Sequence, residues 1–187
     1  MSSIFCLETE GDQSVHDMKK ESSARPLLEY LKSLGTDTDY VFRQVATLEE
    51  FKYYLEHLSR QSYRRYSTVY LCFHGAKGAI NFANKESVSL QEISEDFPGI
   101  FSDKKVHFGS CSTLNVPIDI IEDFKDKTKA KLVTGYEKDV PFHDSFLFEL
   151  WLLHVFTHHK SLGAARLQEK VEKEMKHFAT RLKFRIF

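Results

Sequence analysis

Residues 67–112 contain two apolar runs, and each stops at a chemically reactive side chain. Residues 68–73 lead into His74 and Gly75, and residues 105–108 lead into Gly109, Ser110, Cys111 and Ser112. Between them lie a Gly-containing turn at 76–79 and a helical pattern over 90–101. A strand, a crossover and a second strand must lie side by side and parallel, so both carboxyl ends emerge at one edge of a sheet. Open α/β sheets bind and react ligands at that edge. The pattern therefore predicts His74 and Cys111 as neighbours, a base beside a nucleophile.

The rest of the chain supports the same architecture. Strand patterns at 4–7, 40–45 and 131–135 alternate with helical patterns at 26–34, 47–58 and 118–127, which predicts an α/β fold with a mainly parallel sheet. Pro26 and Gly35 frame the first helix as its start and stop. Thr47 with Glu50 reads as a capping box for the second. Short β-runs at 79–82 and 87–90 around residues 83–86 predict a small hairpin on the sheet's edge. Asp144 or Ser145 is expected to cap a helix over 146–159, whose apolar residues cover almost its whole circumference. Such a helix is buried or pressed on a partner. Ala164, Leu167, Val171, Met175 and Phe178 stripe a last helix, and residues 182–187 alternate as a closing strand. The polar stretch 8–23, with His16 and Asp17, and residues 137–143 read as loops.

A chain of 187 residues suits one domain, 1–187. Its net charge of −1, with no block of like charge, argues against nucleic-acid or membrane binding driven by bulk electrostatics. The start shows no basic segment followed by a long apolar run, and the most apolar window, 146–156, includes Glu149 and His154. A soluble, cytoplasmic protein is expected. Cys6, Cys72 and Cys111 have no paired spacing, so neither a disulfide framework nor a Cys-based zinc site is expected. Cys72 and His107 read as strand core. A metal set of Cys72, His74, His107 and Cys111 would need strand neighbours to converge tetrahedrally, so no metal or other cofactor is expected.

The order of elements, with His74-Gly75 after one apolar strand and Ser110-Cys111-Ser112 after another 37 positions on, resembles the caspase-like cysteine peptidases. That superfamily includes metacaspases, clostripain, separase and the bacterial CHAT domains. Residues 132–136, followed by Ser145 and a long apolar helix, are similar to the bacterial CHAT-type arrangement. The resemblance runs from the first strand to the last. It implies a three-layer sandwich with a mainly parallel six-stranded sheet between helices. It also implies a cysteine endopeptidase acting on protein or peptide substrates, with Cys111 as nucleophile and His74 as general base. The backbone N–H groups of Gly75 and Cys111 would receive the oxyanion. Gly75 and Gly109, lacking a Cβ, are expected to let the backbone approach a substrate closely. Small bacterial relatives act as effectors or processing proteases in signalling and anti-phage defence. They are commonly controlled by a partner protein, so an activating partner or a homo-oligomer is implied here.

One position departs from the pattern. Relatives that cleave after Arg or Lys often carry an acid two residues before the Cys, where this chain has Gly109. Ser110, Glu137 and Asp139 are left as substrate-binding candidates, and the residue before the scissile bond stays open. Two other readings remain: a catalytically silent caspase-like scaffold or ligand-binding module, and a flavodoxin-like nucleotide or phosphate binder. Against the second, no strand leads into a phosphate-cradling Gly-rich loop.

Overall fold

The structure, a computed structural model, describes residues 3–9, 23–34, 38–159 and 161–187. His16, Asp17 and Gly35 lie outside the described residues. Nine strands appear among those described: β1 (Ile4–Thr9), β2 (Tyr40–Val45), β3 (Thr68–Cys72), β4 (His74–Ala76), β5 (Ala79–Asn81), β6 (Ser87–Ser89), β7 (Lys105–Phe108), β8 (Leu132–Tyr136) and β9 (Phe184–Ile186). Six form one sheet in the order β2-β1-β3-β7-β8-β9. All its pairings are parallel except that of β9, which runs antiparallel to β8.

Successive residues of the central strands enter different cores, because side chains alternate across a strand. Phe5, Leu7, Val69 and Leu71 pack on one face, under α2 (Leu48–Leu58), α3 (Leu90–Asp96) and α4 (Ile118–Thr128). Ile4, Cys6 and Tyr70 pack on the other, under α1 (Ala24–Ser33), α5 (Phe142–His158), α6 (Ala164–Lys170) and α7 (Lys176–Leu182). A sheet covered on both faces explains the nearly continuous apolar runs of its strands. The chain steps from β1 outward to β2, then back past β1 to β3 and on to β7. Connections therefore leave β1 and β3 in opposite directions, the arrangement beside which α/β sheets commonly bind ligands.

Several local expectations change. The hairpin of β5 and β6 forms, but it does not extend the large sheet. With β4 it makes a separate three-stranded antiparallel sheet, so His74 opens a new strand after β3 has ended at Cys72. The cause is the two-residue turn at Lys77 and Gly78, where Gly78 adopts φ +72°, folding residues 74–76 back on 79–81. Helix α3 stops at Asp96, short of residue 101, because Pro98 cannot continue it. Helix α5 starts at Phe142, ahead of the expected caps. The Pro141 carbonyl accepts the first helical bond, from Ser145 N–H at 3.0 Å, while Asp144 pairs with Arg181 at 2.9 Å. The last helix is interrupted by a π-helical turn at Val171–Met175.

At α2, Thr47 caps Glu50 N–H as expected, but Glu50 reaches back to Ala46 N–H at 2.7 Å, so the box is not reciprocal. The complete box lies at α3, between Ser89 and Glu92.

Candidate active site

Gly75 and Cys111 are where the small sheet meets the large one. A Cβ on Gly75 would sit 1.8 Å from the Cys111 carbonyl oxygen and 2.7 Å from its nitrogen. No side chain fits there, so β4 crosses directly over the Cys111 peptide. The close approach that a glycine permits is thus used within the protein rather than reserved for a substrate. Two further contacts fix the crossing: Gly78 N–H donates to the Thr113 carbonyl at 3.2 Å, and the Thr113 hydroxyl donates to the Ala79 carbonyl at 3.2 Å. His74, one residue from the crossing, is exposed, and Cys111 is half-buried. Among the described residues no hydrogen bond joins the two side chains. The sulfur instead accepts the Val140 N–H at 3.4 Å.

The loop after β8 lies along the Cys111 turn. Ser112, in the left-handed region at φ +57°, donates its N–H to the Lys138 carbonyl at 3.1 Å and its hydroxyl to Asp139 Oδ1 at 2.9 Å. Asp139 is therefore an exposed carboxylate one residue from the nucleophile candidate. Glu137 is committed elsewhere: it pairs with Arg185 of β9, and its N–H donates to the Lys183 carbonyl. Ser110 is closed to solvent. It is 1% exposed, and its hydroxyl meets that of Thr113 at 2.7 Å, bracing the turn from inside.

Beneath the turn lies a polar network that the sequence reading did not assemble. Glu149 of α5, 5% exposed, accepts from the Tyr70 hydroxyl at 2.5 Å and from the Tyr136 hydroxyl at 3.0 Å. His107 Nε2 lies 3.5 Å from Glu149, an electrostatic contact, while its Nδ1 meets the Thr134 hydroxyl at 3.0 Å. Tyr70, His107 and Thr134 form one row across β3, β7 and β8. Burial pushes both phenols well above their ordinary range, with the charge of Glu149 adding to it. They therefore stay protonated and serve as donors. Gly109 roofs this network: a Cβ there would fall 2.6 Å from the Tyr70 ring and 3.2 Å from Glu149 Oε1. The signal was an acid inside the most apolar helix and a histidine inside an apolar strand, since buried polar groups need partners.

The other thiols sit differently. Cys6 is fully buried, and burial raises its thiol well above the usual value. Cys72, at the end of β3, is also pushed up, first by burial and then by the carboxylates of Glu149 and Glu8. Its sulfur lies 4.0 Å from Glu8, which accepts the Ser23 and Ala24 N–H groups at 2.8 and 2.9 Å and so anchors the start of α1. Raised thiols are poor nucleophiles. Among the described residues no group of three or more His, Cys, Asp or Glu side chains is arranged to hold a metal ion. No described helix is long and apolar enough to cross a membrane.

The sequence from residue 1 to 187 matches DUF6642, a family of unknown function, and the chain belongs to that family. No curated protein matches it.

Proposed function

We propose that this family member is a caspase-like cysteine endopeptidase. The observation that carries the reading is the crossing of Gly75 over the Cys111 peptide, which brings His74 within one residue of the sulfur's loop. The sheet order, with five parallel strands and an antiparallel sixth, is compatible with the caspase-like sandwich and supports it. In the reaction, a nitrogen of His74 takes the proton of Cys111, and the thiolate adds to the scissile carbonyl carbon. The backbone N–H groups of Gly75 and Cys111 receive the resulting oxyanion. As the intermediate collapses, the C–N bond breaks and the amine leaves with the proton held by His74. Water, deprotonated by His74, then attacks the thioester, releasing the new carboxyl terminus and restoring the thiol.

Catalytic contacts are often open before substrate arrives, so a rotation of the exposed imidazole toward the sulfur belongs to this reading. Asp139 beside Ser112 favours a cationic substrate side chain near the scissile bond. An activating protein or a second copy of the chain would control the site, in a signalling or defence setting. Mapping cleavage of a proteome-derived peptide library by mass spectrometry tests the proposal. Cleavage lost in both Cys111→Ala and His74→Ala supports it, and cleavage that persists in Cys111→Ala refutes it.

A catalytically silent scaffold is favoured by one observation: the sulfur is already held by Val140 N–H rather than by His74. Alkylation of Cys111 between pH 6 and 8 separates the two. Rates that do not change in His74→Ala favour the scaffold.

A further inference from the structure

Helix α5 carries the chain from the Cys111 edge of the sheet to the opposite one. Its 17 residues span about 25 Å at 1.5 Å per residue. At the far end a cleft of about 440 Å³ opens between its last turn and α6, lined by His158, His159, Ser161, Arg166, Glu169 and Lys170. Arg166 forms no ion pair among the described residues, and Lys170 reaches Glu174 only at 3.6 Å. Behind the cleft, Lys105 is fully buried. Its ammonium donates to the carbonyls of Phe156 at 2.5 Å and His159 at 3.0 Å. Those are carbonyls at the end of α5, which would otherwise present a negative dipole end and repel an anion. Lys105 neutralises that end with a charge that meets no carboxylate among the described residues.

We propose that this cleft binds a small phosphate monoester, with Arg166 and Lys170 gripping the phosphate and Ser161 and the His158–His159 turn completing the site. Two cations of α6, Arg166 and Lys170, line it beside the His158–His159 end of α5, against a single lining acid, Glu169. A guanidinium is the side chain best matched to phosphate oxygens. The volume falls in the range of small-molecule sites and exceeds what an inorganic ion needs. The crowding of like charge is also visible in His159. Burial holds it below its ordinary value, and Lys170, His158, Lys105 and Arg166 push it the same way. A bound dianion relieves that repulsion. The site is independent of the peptidase reading, because it lies a helix length from Cys111.

Thermal melts at constant ionic strength test the proposal, with chloride, inorganic phosphate, AMP and adenosine as probes. Phosphate and AMP should each raise Tm above the chloride value, AMP more than phosphate, while adenosine should not. Arg166→Gln with Lys170→Gln should weaken phosphate binding about tenfold or more. Glu169→Gln should strengthen it, and Cys111→Ala should leave it unchanged. A double variant that binds phosphate as tightly as wild type, or a chloride control that reproduces the shift, overturns the proposal.

Discussion

The hydroxyl of Tyr70 donates to Glu149 Oε2 at 2.5 Å, between side chains that are both closed to solvent. The bond fastens the centre of β3 to the middle of α5, so its loss should be felt throughout the sheet. Tyr70→Phe should cost about 1–3 kcal/mol, because it leaves a buried carboxylate oxygen short of a donor. Glu149→Ala, which leaves the hydroxyls of both Tyr70 and Tyr136 without their acceptor, should cost about 2–6 kcal/mol, roughly 1–3 for each buried donor. Urea unfolding of the two single variants and the double variant checks this. The effects should fall short of additive by about 0.5 kcal/mol or more.

Gly75→Ala should be among the most damaging one-methyl changes in the protein. The added carbon would collide with the Cys111 backbone, which cannot yield as a flexible side chain would. A loss of about 1–3 kcal/mol is expected from overpacking. Alkylation of Cys111 should change rate in the same variant, measured by mass spectrometry under native conditions. An unchanged midpoint and rate would mean that the crossing is looser than described.

Stability above neutral pH should reflect buried groups of both signs, Lys105 and Cys6 among them. Burial, aided by the charge of Lys131, lowers Lys105 from 10.5 to about 8. Between those values the unfolded chain binds more protons than the folded one, so this group's contribution to stability rises with pH. Cys6 is raised above its ordinary 9.0, so its contribution is full below that value and is lost as pH rises beyond it. Urea midpoints from pH 7 to 10.5 should therefore fall more steeply in Lys105→Met than in wild type above pH 8. In Cys6→Ala they should fall less steeply above pH 9. Each group changes the slope by at most about 1.4 kcal/mol per pH unit.

The parallel sheet was legible because residues 68–73 and 105–108 each form a short strand-like run and are separated by a crossover. That pattern correctly placed β3 beside β7. Helix boundaries were less so. Pro141 started α5 before Asp144 could cap it, since a backbone carbonyl serves as the first acceptor whatever side chain follows. The position of His74 was misread by one element. A short apolar run does not say where a strand ends, and Phe73 is as buried as a strand residue. The partners of Glu149 were not readable at all, because Tyr70, Tyr136 and Glu149 meet only through tertiary packing. Ser110 and Glu137 illustrate the same limit: polar residues flanking the candidate site were spent on Thr113 and Arg185.

His74 belongs to the small sheet and Cys111 to the turn that follows β7 of the large one, so the two meet across a seam between the sheets. The seam includes the Gly75 crossing, the bonds that Thr113 makes to residues 78 and 79, and the buried side chains of Ile80, Phe82 and Val88, which pack in one core with Phe51 and Phe73. A tilt of the three short strands would change the gap between imidazole and sulfur only by carrying with it Ile80, Phe82 and Val88, which are buried in the core beneath α2. Whatever fixes the imidazole relative to the sulfur is therefore the packing of that layer, and a change in the core beneath α2 reaches the gap directly.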